Sequence, residues 1–231
     1  MKYVVFILLL LLTACGQTDE RILKNTSPTK NATGKLIPIN FKDSMYLDVA
    51  GYAHDTVTKG GWKISYLVKD DTTHYNDLYI QWEKGRVKRV YKDSDVLLMK
   101  PYFIPVLSGE NKTHIFLEHA CATGCSAVLV LPKDSKADVD DFEAVFGYNV
   151  ALGQVVYRNS SGEDTLSVSA IDINKSIEKS VVFKNKNRNY IFPSYSAFSD
   201  TLIFKGDKVI IDCEVNDENG KEIIERQVIR F

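Results

Sequence analysis

Two cysteines stand four positions apart in Cys121-Ala122-Thr123-Gly124-Cys125, with His114 and His119 shortly before them. Thiols and imidazoles this close can close a disulfide, hold a soft or borderline metal ion, or exchange electrons as a thiol–disulfide couple. The first is favoured. Gly124 can take the positive φ of a tight reversal, so two strands meeting in a hairpin with a three-residue turn would set Cys121 and Cys125 opposite each other. Closing so short a loop contributes about 2 kcal/mol in the chain-entropy account. A metal would need His119 together with Cys121 and Cys125. His114 and His119 differ by an odd number and so point to opposite faces of a strand, unless a bulge intervenes. Cys213 alternates with Val209, Ile211 and Val215, which makes it a buried, inert thiol.

The Cys-x3-Cys pair is similar in spacing to that of the thioredoxin-like copper chaperones of cytochrome oxidase assembly, which implies a redox or metal-handling role for Cys121 and Cys125. The similarity ends at the spacing. No proline follows Cys125, and the flanks alternate as strands rather than leading into a helix.

Cys15 has a different setting. Met1-Lys2-Tyr3 precedes an apolar run from Val4 to Leu12, then Thr13-Ala14-Cys15-Gly16, which is the layout of a secretory signal. A rod of this length is roughly 14 Å, against a hydrocarbon core of about 30 Å, so it is too short to span. Leu12-Thr13-Ala14-Cys15 resembles the lipobox of bacterial lipoproteins. That resemblance implies residues 1–14 as a cleaved signal peptide, a diacylglycerol thioether on Cys15 with palmitate-type chains, and attachment to an envelope membrane. Gly16, where aspartate would signal inner-membrane retention, favours the outer membrane, facing the periplasm or the surface. Each buried acyl methylene contributes about 0.8 kcal/mol, and more than one chain is needed for a lasting hold. Such a compartment permits disulfides, which further favours a bond between Cys121 and Cys125.

Other chemistry is thinly represented. Ser27-Pro28-Thr29-Lys30 and Ser176-Ile177-Glu178-Lys179 match Ser-x-x-Lys, but the first lies in a polar tether and the second lacks partner motifs. Gly-x-Ser-x-Gly and His-Glu-x-x-His do not occur. The acids Asp134, Asp138, Asp140, Asp141 and Glu143 lack an EF-hand's glycine and fit the start of a short helix over 138–146. Tyr46, Tyr52, Trp62, Tyr66, Tyr75, Tyr79 and Trp82 could stack on a sugar or peptide, although strand cores use the same residues. The chain carries a formal charge of -1, which becomes -2 once Lys2 is removed with the signal. Both signs are interspersed, including Arg86, Lys88, Arg89, Lys92 and Lys184, Lys186, Arg188, so no field for nucleic acid develops.

The elements that must position these residues are strands. Residues 15–35 are polar, a flexible tether behind the lipidated cysteine, and 36–231 form a single all-β domain. Trp62, Ile64, Tyr66 and Val68 alternate with polar residues, as do Leu78, Ile80 and Trp82, whose strand turns through Glu83-Lys84-Gly85 into 86–92. Further strands are expected at 102–107, 114–120, 150–157, 165–173, 177–183 and 201–204. Ala127 to Leu131 is continuously apolar and should be covered on both faces. Val209 to Val215 meets Asp217-Glu218-Asn219-Gly220 and returns as 222–231. The fold class is an antiparallel β-sandwich-like domain, with a small or partial β-propeller as the alternative. The cadence of 153–184 is blade-like, but no second copy stands at a fixed period.

The function expected is that of a lipid-anchored envelope protein of non-enzymatic binding or structural type, with no cofactor. Its partners would be the membrane, through Cys15, and a protein or small-molecule ligand. Two alternatives share the compartment: an immunity-type lipoprotein against a toxin, and a thiol redox or metal-handling protein using Cys121 and Cys125.

Overall fold

The computed structural model describes residues 35–40, 42, 53–69, 78–93, 101–122, 124–159, 167–183, 202–217 and 219–231; the lipobox and nearly all of the tether lie outside them. The described residues belong to one compact unit and fold as an all-β protein. Among them, no helix is long and apolar enough to cross a membrane.

The strands form four antiparallel sheets in chain order, none closed into a barrel. The first contains β1 (Leu36–Pro38), β2 (Thr56–Val57), β3 (Lys63–Lys69), β4 (Leu78–Lys84) and β5 (Val87–Asp93). The second runs β6 (Val106–Glu110), β7 (His114–Ala122), β8 (Cys125–Pro132), β9 (Asp140–Phe142). The third runs β10 (Val145–Asn149), β11 (Gln154–Arg158), β12 (Ser167–Asp172), β13 (Ile177–Val182). The last has β14 (Leu202–Lys205), β15 (Lys208–Asn216) and β16 (Glu222–Arg230).

Period-two alternation decides how the sheets pack. Ile64, Tyr66, Ile80 and Trp82 of the first sheet meet Ile115, Leu117, Leu129 and Leu131 of the second in one apolar cluster. The intervening residues Phe116, Val128 and Val130 point the other way, onto Val155 and Ile171 of the third sheet. The third sheet's opposite face, with Val156, Val168 and Ala170, packs on Val209, Ile211 and Ile229 of the fourth. Packing is thus sandwich-like, face on face, repeated through four layers. Strand β8 is covered on both faces, with Ala127 to Leu131 fully buried, as its unbroken apolar run requires. Of the segment 153–184, the described residues supply β11, β12 and β13, three consecutive neighbours in one antiparallel sheet.

The β15–β16 hairpin turns at 217–220 as its Asn-Gly suggests. Asp217 Oδ1 accepts from the amides of Asn219 and Lys221, both at 2.9 Å, and Gly220 takes a φ of +76°. Four expectations need correction. The short helix over 138–146 is instead β9 and the start of β10, because the open edge of β8 pairs with Asp140 to Phe142 and Phe142 is buried. The strand at 102–107 divides into a single 3-10 turn at Pro101–Phe103 and β6. Pro105, which has no amide hydrogen, separates the two. The strand expected over 150–157 begins at Gln154, since Val150 to Gly153 form the turn that follows β10. The β4–β5 reversal is a two-residue loop, Gly85-Arg86, with Lys84 opposite Val87.

Candidate functional site

Strands β7 and β8 carry the sequence-predicted residues and bring most of them together. Cys121 and Cys125 are joined by a disulfide, with Cα atoms 5.1 Å apart. The turn is tighter than a three-residue reversal. Ala122 pairs with Cys125, and the ladder slips between Ala120 and Ala122, so Cys121 is the additional residue of a bulge. Gly124 has the positive φ required, +68°. As a disulfide, the two sulfurs are not thiolates, so the set His119, Cys121, Cys125 becomes a possible ligand set only after reduction. Cys213 is buried in the apolar cluster that also holds Val209, Ile211 and Ile229, and is not part of a disulfide.

The bulge comes after the histidines, and they do point to opposite faces. His114 opposes Pro132, and His119 opposes Ala127. His114 Nδ1 meets Thr113 Oγ1 at 2.9 Å, and burial, together with Lys133, holds its pKa below the ordinary value against the Asn174 hydrogen bond. His119 lies in the seam between the first and second sheets. Its Nδ1 donates to the Ala120 carbonyl at 3.1 Å, while Nε2 is fully buried and 3.6 Å from Asp141 Oδ1, too long for a hydrogen bond. Burial pushes its pKa down, but the carboxylates of Asp141 and Asp93 prevail and raise it.

An open groove of ≈ 560 Å³ lies where β6, the end of β7 and the start of β8 meet. Val106, Leu107 and Ala120 form apolar wall, Ser108, Glu118 and Ser126 supply polar groups, and His119, Gly124 and Cys125 bring the stapled hairpin to its edge. Tyr102, half exposed, also lines it. A hydrogen-bonded chain crosses from the third sheet: Ser108 Oγ and Tyr148 OH are 2.6 Å apart, and Tyr148 OH donates to Glu118 Oε2 at 2.6 Å. Burial and the Glu118 carboxylate push the Tyr148 phenol up to about 12, so it stays protonated at neutral pH.

Ser108, Glu118 and Tyr148 belong to no motif in the sequence. Glu118 carried the one available signal, an acid set between Leu117 and His119 in an otherwise apolar strand. The aromatic platform is not assembled from Trp62, Tyr66, Tyr79 and Trp82, which are core residues. Tyr66 OH donates to the Pro105 carbonyl at 2.6 Å, and Trp82 Nε1 to that of Pro132 at 2.9 Å. Tyr46, Tyr52 and Tyr75 lie outside the described residues. Of the basic runs, Lys88 is exposed on the outer face of β5, Arg89 turns inward over Trp82, 5.1 Å from the ring, and Lys184, Lys186 and Arg188 lie outside the described residues. Among the described residues no group of three or more His, Cys, Asp or Glu is placed to hold a metal ion. Set against known proteins, the chain matches no family model, no curated protein and no solved structure.

Proposed function

We propose that this protein is a lipid-anchored component of the bacterial cell envelope, held at the outer membrane through acyl chains on Cys15, whose β domain binds a ligand or protein partner without catalysis. The observation that carries the reading is Leu12-Thr13-Ala14-Cys15 directly after a short apolar run and directly before a polar tether. Lipid and tether together would keep a folded domain close to a membrane and free to meet a partner.

The groove's chemistry supports binding over catalysis. Ser108 lies against a phenol rather than a base, and a phenol with a pKa near 12 does not take a proton at neutral pH. The His119 Nε2 that could act as base is turned into the protein toward Asp141. What remains is an apolar surface with hydroxyls and one carboxylate, beside a hairpin locked by a disulfide.

Fractionation of cells producing the full-length chain tests the anchor. The wild type should sediment with outer-membrane fractions and need detergent for release, whereas Cys15→Ser should not. Equal solubility of the two would overturn the proposal.

A further inference from the structure

Glu118 stands apart on its strand. It follows Phe116 by two positions on β7 and so shares the face turned toward the third sheet, yet Phe116 is buried and Glu118 exposed. Val106 and Val128 stand opposite it on the two flanking strands, and Ala120, two positions on, stands opposite Ser126. A carboxylate thus lines the groove among apolar neighbours.

Residues from two other strands hold that carboxylate in place. Tyr148 comes from β10 with its ring stacked on Phe116, centroids 6.3 Å apart and planes 4° from parallel, and its OH donates to Glu118 Oε2 at 2.6 Å. Ser108 Oγ of β6 meets the same OH at 2.6 Å. An ionised carboxylate has room for further donors after this one. No cation answers it: among the described residues no lysine or arginine lines the groove, and none pairs with Glu118. His119 borders the groove, but its Nε2 is turned toward Asp141.

We infer, on the reading of the β domain as a binding module, that this groove takes a small organic cation, an ammonium on an aliphatic stem, with the ammonium at Glu118 and the stem along Val106, Leu107 and Ala120. Charge decides the class. An anion would meet Glu118 with no lysine or arginine to offset it, and a neutral apolar ligand would take water from the carboxylate and return no hydrogen bond. An ammonium carries donors and no acceptor, which is what the carboxylate lacks, and Tyr102 adds an exposed aromatic ring to the same groove. The volume of ≈ 560 Å³ is that of a small-molecule site. Because Glu118 is exposed, the ion pair is screened, and the dissociation constant should be on the order of millimolar.

Amide NMR titration of the full chain carrying Cys15→Ser tests this with hexylammonium, hexanol and hexanoate, three probes with similar aliphatic stems. Hexylammonium should shift the amides of Glu118, Ala120 and Ser126 and bind about tenfold more tightly than hexanol, with hexanoate weakest. Glu118→Gln should erase the preference for hexylammonium while leaving the thermal midpoint and the affinity for hexanol unchanged. Equal binding of hexylammonium and hexanol, or a preference that survives Glu118→Gln, would overturn the inference and leave the groove a binding site. If none of the three probes shifts the groove amides, the inference and the groove as a binding site both fall. Much tighter binding of the blocked peptide acetyl-Gly-Lys-Gly-amide than of hexylammonium would assign the groove to a protein side chain and overturn the small-molecule occupant.

Discussion

His119 and Asp141 face each other across β8, with Nε2 3.6 Å from Oδ1, although they stand twenty-two positions apart in the chain. His119 sits opposite Ala127, Asp141 opposite Leu129, and both point toward the first sheet. The imidazole of a nine-tenths-buried side chain thus has an anion rather than a hydrogen bond beside its free nitrogen.

This pair makes stability depend on pH in a defined direction. Burial lowers the His119 pKa, yet Asp141, Asp93 and the Ala120 carbonyl outweigh it and leave the value above the ordinary 6.5. A folded pKa above the unfolded one means that protonation stabilises the fold. The contribution is complete below the unfolded value and is lost as pH rises through the folded one. Asp141→Asn should lower the His119 pKa and flatten the fall in thermal midpoint from pH 6 to 8. NMR titration of the His119 ring alongside melting curves checks both. An unchanged ring titration in Asp141→Asn would refute the assignment.

Glu110 links the first two sheets with the opposite sign. Its carboxylate accepts from the Gly60 amide and from Lys133 Nζ at 2.5 Å, and Lys133 also reaches the Asn111 carbonyl at 2.5 Å. Burial raises the Glu110 pKa, but Lys133, Gly60 and Thr58 hold it below 4.5. Its stabilisation is therefore present above that value and lost as pH falls through the lower folded pKa. Lys133→Met leaves the carboxylate without its cation and should cost roughly 2 kcal/mol, less than a fully enclosed pair because both side chains reach the surface. Urea unfolding at pH 7 measures it.

The Cys121–Cys125 bond acts as a staple in this account. Replacing both cysteines by serine should cost about 2 kcal/mol. Titration of the unfolded, unreduced protein lacking the signal and Cys15 should count one thiol, Cys213. Mild dithiol treatment of the folded protein should leave that count unchanged. Two more thiols appearing readily would favour the exchange chemistry of a redox couple instead.

Trp82 is fully buried, holds the Pro132 carbonyl and lies under Arg89, whose Nη1 donates to the carbonyls of Asp134 at 2.7 Å and Ala137 at 2.6 Å. Trp82→Ala should destabilise by about 3–5 kcal/mol. Arg89→Ala should cost about 1 kcal/mol and change the Trp82 fluorescence. Denaturant titration followed at both emission and far-UV dichroism checks the pair.

Strand identity was legible wherever one face was apolar. Ile64, Tyr66, Ile80 and Trp82 advertise their side of the sheet by alternation, and the unbroken run of β8 announces a strand covered twice. The number of sheets was not, because alternation says that a residue points inward without saying which sheet receives it. Segment 138–146 misled because its acids fit a helix start, while the pairing that decides it comes from β8. At the site, the cysteine pairing followed from spacing. The Ser108–Tyr148–Glu118 chain did not, since its members come from two sheets and lie as much as forty residues apart.

Lipid attachment at Cys15 is the central proposal, and the mass of the N-terminal peptide of protein recovered from cell membranes tests it. The expected peptide begins at Cys15 and carries a diacylglycerol thioether, with or without a third chain on its amine. A peptide retaining Met1 to Ala14, or one cut elsewhere with an unmodified Cys15, would contradict it.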